Sequence, residues 1–134
     1  MSEKTGTLHH IEIYVSNLTK TKLFWGELLE SLSYTIYQKW DQGISWKLDK
    51  TYIVFVQTRR KYLDIPYNRC GTGLNHIAFH VNSKKQLDNL ANSLERKGIK
   101  FLYNNKFRKE KTEDPYSIFF EDPDRIKVEL VYSG

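Results

Sequence analysis

Two stretches of the chain alternate apolar and polar positions at period two and echo one another. Leu8-His9-His10-Ile11-Glu12-Ile13-Tyr14-Val15 is answered by Leu74-Asn75-His76-Ile77-Ala78-Phe79-His80-Val81, with leucine, histidine, isoleucine and valine returning at one constant offset. Such alternation predicts strands, with Ile11, Ile13 and Val15 on one face and His10, Glu12 and Tyr14 on the other. The second copy divides likewise into Ile77, Phe79 and Val81 against His76, Ala78 and His80. After each strand the period changes. Ser16-Asn17 offers a cap before Leu18 to Leu32, where Leu18, Phe24, Trp25, Leu28, Leu29 and Leu32 recur at helical spacing. Asn82-Ser83 precedes Leu87, Leu90, Ala91 and Leu94, and that helix is predicted to stop near Gly98.

Period two then resumes. Strands are predicted over Tyr34 to Trp40, Ile44 to Leu48 and Tyr52 to Gln57 in the first half, and over Lys100 to Tyr103, Tyr116 to Glu121 and Ile126 to Tyr132 in the second. Asp49-Lys50 and Asp122-Pro123-Asp124-Arg125 carry turn residues between the last two strands of each half. The chain therefore reads as an α+β protein of two βαβββ modules, at about 7–58 and 74–133, joined by a linker at about 59–73 that holds Pro66, Gly71 and Gly73. The irregular stretch from Asn104 to Pro115 is long for a structureless connection, a length that goes with function more often than decoration.

At 134 residues, 40% hydrophobic and 14% aromatic, the chain has the profile of one ordered domain able to bury a core without staples. A net charge of +5 invites a nucleic-acid reading, but the basic residues are scattered. Arg59-Arg60-Lys61 and the acid-interrupted run from Lys106 to Lys111 make no recognition helix or stripe, so no nucleic-acid partner is expected. The single Cys70 has no partner for an internal disulfide, and there is neither a secretory leader nor an apolar run of membrane-spanning length. A cytoplasmic protein without membrane contact is the expectation.

With the elements placed, the motifs become specific. His10-Ile11-Glu12-Ile13-Tyr14-Val15-Ser16-Asn17-Leu18, the Phe24-Trp25 pair, Gly73-Leu74-Asn75-His76-Ile77-Ala78-Phe79 and the closing run from Phe119 to Leu130 together resemble the vicinal oxygen chelate superfamily. That group includes glyoxalase I, bleomycin-resistance proteins, fosfomycin-resistance enzymes and extradiol dioxygenases. The resemblance covers almost the whole chain. It implies an open cup made by two curved sheets, a homodimer, and a divalent metal (Zn, Fe, Mn, Ni or Co) held by His10, His76 and Glu129. Two imidazoles and one carboxylate suit such ions and leave positions open for substrate.

One departure matters. Aligning Tyr52 to Gln57 with Ile126 to Val131 sets Phe55 opposite Glu129, where a glyoxalase I pattern calls for a fourth, acidic ligand. The chain is thus more similar to three-ligand members. Glu12 and His80 share faces with the proposed ligands and are candidate acid–base or orienting groups. Tyr14, Phe55 and Gln57 are assigned to the pocket lining. His9, out of phase with His10, ranks as a poor ligand. The implied function is that of a metal-dependent enzyme on a small oxygen-rich molecule, lyase- or isomerase-like through Lewis-acid chemistry. The same three-ligand site would serve a dioxygenase or a fosfomycin-type thiol transferase. A binding protein of the bleomycin-resistance kind, using aromatic stacking without catalysis, is the competing class.

Overall fold

The computed structural model describes residues 5–103 and 116–134, so the stretch from Asn104 to Pro115 lies outside the described residues. The chain divides into two compact units, Met1–Pro66 and Tyr67–Gly134, parting inside the predicted linker.

In the first unit β1 (His10–Val15) leads into α1 (Leu18–Ser31), then β2 (Thr35–Trp40), β3 (Gly43–Leu48) and β4 (Thr51–Gln57). The sheet order is β1-β4-β3-β2, with β1 parallel to β4 and the remaining pairs antiparallel. Helix α1 begins where Asn17 Oδ1 accepts a hydrogen bond from Lys20 N at 3.1 Å. The helix lies against β3 and β4 and buries Leu18, Thr21, Trp25, Gly26, Leu28 and Leu29. Gly26 is where Trp46 fits closely, since a Cβ there would stand 3.3 Å from Trp46 Cζ2. The turn predicted at Asp49-Lys50 is present, with Asp49 in the left-handed region at φ 53°.

The second unit repeats the plan with β5 (His76–His80), α2 (Lys84–Arg96), β6 (Tyr116–Glu121) and β7 (Lys127–Tyr132), in the order β5-β7-β6. Ser83 Oγ caps α2 by accepting from Gln86 N at 3.0 Å, and the helix buries Leu87, Ala91 and Leu94. Gly98, at φ 85°, follows its last turn as the pattern predicts. The predicted strand from Lys100 to Tyr103 is corrected. Among the described residues it contracts to one bridge, Phe101 to Phe120, reinforced by Leu102 N donating to Phe119 O at 2.8 Å. Tyr103 then turns to φ 62°, a conformation that ends extended pairing. The β6–β7 turn is tied by Asp122, whose Oδ1 accepts from Asp124 N and Ile126 N, both at 2.8 Å. No helix among the described residues is long and apolar enough to cross a membrane.

Register corrects one alignment. His10 pairs with Tyr52 and His76 with Lys127, so the residue that answers to Glu129 in the first unit is Val54, paired with Glu12. Phe55 pairs instead with Ile13, on the helix side of the sheet. It is fully buried, with ring centroids 5.0 Å from Trp25 and 5.9 Å from Trp46. Phe55 is therefore a core residue of the first unit and not a lining of the His10 face. The first module still has no carboxylate at the position of Glu129.

Candidate functional site

In the second unit the first and last strands of the module lie side by side and parallel, which brings His76 and Glu129 together across a long stretch of sequence. Ala78 is the direct partner of Glu129, and His76 lies diagonal to it on the same face. His76 Nε2 stands 3.3 Å from Glu129 Oε1. Two donors each about 2.1 Å from one ion and subtending roughly 90–110° stand ~3.0–3.4 Å apart, so this separation fits two ligands of a common metal.

The other ring nitrogen is spoken for. His76 Nδ1 lies 2.8 Å from Asn75 Oδ1, while Asn75 Nδ2 donates to the carbonyl of Arg69 at 3.1 Å. The bond to Arg69 identifies which end of the amide faces the ring: an oxygen, which can only accept. His76 Nδ1 must then carry the proton, and neutral His76 presents its lone pair at Nε2, toward Glu129. Outer hydrogen bonds of this kind fix the orientation of metal-binding imidazoles. The peptide around Arg69 is itself anchored, because its guanidinium bonds Glu121 and donates to Arg125 O at 3.2 Å. The hydrogen bond to Glu121 holds the Arg69 pKa above its ordinary value. Tyr67 Oη donates to Leu74 O at 2.7 Å, securing the approach to β5.

The first unit uses the same device. His10 begins β1 and stacks on its strand partner Tyr52, with centroids 4.7 Å apart and planes 3° from parallel. The preceding residue, His9, places its Nδ1 2.8 Å from His10 Nδ1. One ring donates and the other accepts; with His10 as donor, its Nε2 keeps the lone pair. In both modules, then, the residue immediately before the histidine hydrogen-bonds its Nδ1. His9, a poor ligand by its phase, is a partner of His10. Asn75, assigned no role by the sequence pattern, occupies the same place in the second module.

The other sequence-predicted residues fall in several places. Glu12 is exposed on the His10 face, between His10 and Tyr14. His80 is exposed at the far end of β5, four residues and about 13 Å along the strand from His76, so it does not orient that ring. Tyr14 and Gln57 do line a common hollow within the first unit, an open cleft of about 540 Å³ shared with Gln42, Val56, Arg59, Arg60 and Leu63. Gln57 also serves the fold: its Oε1 accepts from Leu18 N at 2.9 Å and its Nε2 donates to Ser16 O at 2.9 Å, fastening the start of α1. Within neither unit, among the described residues, do three His, Cys, Asp or Glu side chains gather in one metal-binding group. The second unit carries a pair of donors, and a third would have to come from elsewhere.

With fold and donors in place, the class is defined: the chain belongs to the glyoxalase/bleomycin resistance protein/dioxygenase superfamily, whose profile matches residues 9–120. Among particular relatives, the uncharacterised protein YqjT of Bacillus subtilis (strain 168) is 49% identical over 124 residues, covering 92% of this chain and 97% of YqjT. The crystal structure of a candidate glyoxalase from Bacillus halodurans matches with a TM-score of 0.89 and 43% identity, covering 96% of each chain. The glutathione transferase FosA of Serratia marcescens is 27% identical, over 92% of this chain and 79% of FosA. A fosfomycin resistance protein, FosX of Listeria monocytogenes, crystallised with Mn(II) and sulfate, shares the fold at a TM-score of 0.69 and 18% identity, over 98% of this chain and 93% of FosX.

Proposed function

We propose that this protein is a divalent-metal-dependent enzyme of the glyoxalase type acting on a small oxygen-rich molecule, with His76, Glu129 and His10 as the metal ligands. The observation that carries the reading is the pairing of His76 Nε2 with Glu129 Oε1 at 3.3 Å, with the ring's other nitrogen fixed by Asn75. A divalent ion bound there would supply Lewis acidity toward paired substrate oxygens. The chain's own residues would do the rest. His9 and Asn75 would each orient the imidazole that follows it, and Glu12, exposed on the His10 face, would be the group available to take up or return a proton. Membership of a superfamily with solved metal-bound members supports the ion, and Mn(II) in FosX supports manganese as the first to try. The same three ligands would serve a dioxygenase; the identity to FosA favours, as second reading, transfer of a thiol to an electrophilic substrate.

Elemental analysis of the purified protein tests the proposal, with His10→Ala, His76→Ala and Glu129→Ala beside it. The expected result is about one equivalent of divalent metal in the parent, lost in each variant while circular dichroism stays unchanged. A parent protein that takes up no Mn, Zn, Fe, Ni or Co in dialysis would end this reading and favour a binding role without metal. The homodimer implied by the resemblance belongs to the proposal and is checked by light scattering.

A further inference from the structure

On the open face of the second unit, beside His76 and Glu129, stands a cation held only by neutral partners among the described residues. Lys127 is the strand partner of His76, and the alternation of β7 puts it on the same face as Glu129. Its ammonium donates to Tyr103 Oη at 2.8 Å and lies 5.2 Å from the Tyr103 ring centroid and 5.1 Å from that of Phe119. Such partners steady a positive charge without cancelling it. The carboxylate opposite Lys127 across the strands is Glu121, and it is taken by Arg69 and by Arg125 Nε at 3.4 Å. No carboxylate among the described residues forms an ion pair with Lys127. Phe119 also meets the His76 ring edge-on, at 6.3 Å between centroids, so one aromatic ring lies near both the cation and the histidine of the donor pair.

We infer that Lys127, seated between Tyr103 and Phe119, binds the anionic group of the substrate, an oxyanion such as a phosphonate, phosphate or carboxylate, and delivers it beside His76 and Glu129. The inference rests on the metal reading for its place next to a reacting centre, but the anion seat itself is a property of Lys127. An ammonium already held by a hydrogen bond to Tyr103 and lying near the Phe119 ring loses little freedom when an oxyanion arrives. Of its three N–H donors one goes to Tyr103, which leaves two to offer an anion.

Titration calorimetry of the full chain with inorganic phosphate, methylphosphonate and acetate, with and without Mn(II), tests it. Mn(II) binding is followed in parallel by electron paramagnetic resonance. Lys127→Met is expected to weaken binding of the oxyanion that binds best by about tenfold or more, with Mn(II) affinity within about twofold of the parent. Lys127→Arg is expected to restore most of the loss, and Tyr103→Phe to weaken the anion by a smaller factor. Which of the three anions binds best identifies the chemistry of the natural group. If Lys127→Met does not fold by circular dichroism, the comparison of Lys127→Arg and Tyr103→Phe carries the test. Equal oxyanion affinity in parent and variants, or no oxyanion binding by the parent at all, overturns the inference. A parent that binds phosphate through Lys127 but no metal overturns the metal reading and leaves the anion seat standing.

Discussion

The Asn75 amide is the simplest place to break the proposed metal site without touching a ligand. In the parent it bridges Arg69 O and His76 Nδ1 at 3.1 and 2.8 Å. Asn75→Ala removes both bonds. Asn75 is exposed, so water replaces the lost partners and the effect on folding is expected to be small. The ring of His76 is not so easily compensated. It becomes free to rotate and to carry its proton on Nε2, the atom that faces Glu129, and each such state is unfit to bind a metal. Partners of this kind are worth roughly 10–100-fold in metal affinity, or about 1.4–2.7 kcal/mol. Competition against a chelating indicator for Mn(II) or Zn(II) measures the affinity, and long-range nitrogen–proton correlation spectra report the tautomer. Neutral His76 is expected to carry its proton on Nδ1 in the parent and to populate the other tautomer in Asn75→Ala. Asn75→Asp, which keeps an acceptor at the ring, is expected to retain most of the affinity. An alanine variant that binds the ion within about twofold of the parent, or a parent whose neutral His76 is protonated at Nε2, would refute the reasoning.

Packing and burial supply three more tests. Phe55→Ala empties a fully buried site between Trp25 and Trp46, and its expected cost is about 3–5 kcal/mol in urea unfolding, where a pocket-lining residue would cost far less. At Gly43 a Cβ would fall 2.3 Å from Trp40 Cζ2, so Gly43→Ala should displace that indole; a shift in tryptophan emission and a loss of about 1–3 kcal/mol are the expected readouts. The Tyr67 pKa is raised above its usual 10.0, chiefly by burial. Its contribution to stability is therefore complete below about pH 10 and lost as pH climbs through the folded-state value, when the phenolate can no longer donate to Leu74 O. Between about pH 9 and pH 11 the parent should lose more stability than Tyr67→Phe; equal losses would contradict the assignment.

The repeat was readable because each opening strand has one wet and one dry face, so alternation marks the orientation of His10 and His76 directly. Asn17 and Ser83 cap the helices as their side chains suggest. The closing strand of the first module was harder. Tyr52-Ile53-Val54-Phe55-Val56 is apolar throughout and has no period, so a side-by-side alignment slips by one residue and turns Phe55 toward the wrong face. Only hydrogen-bonded pairing shows that Val54 answers to Glu129. The roles of His9 and Asn75 were hidden for a related reason. Period two sends neighbours to opposite faces, but each of these residues precedes the first ladder position of its strand and is not bound by that rule. The Lys127 seat depends on Tyr103, which the pattern places in a strand and the structure places beyond the last pairing.

In each module the opening and closing strands run alongside one another in the same direction, although a helix and at least one further strand separate them in sequence. The proposed ligands thus lie on strands that hydrogen-bond directly to one another, while the loops joining the elements carry none of them. A lineage inheriting this plan can rewrite the loops between its elements while leaving the proposed histidine and glutamate ligands undisturbed.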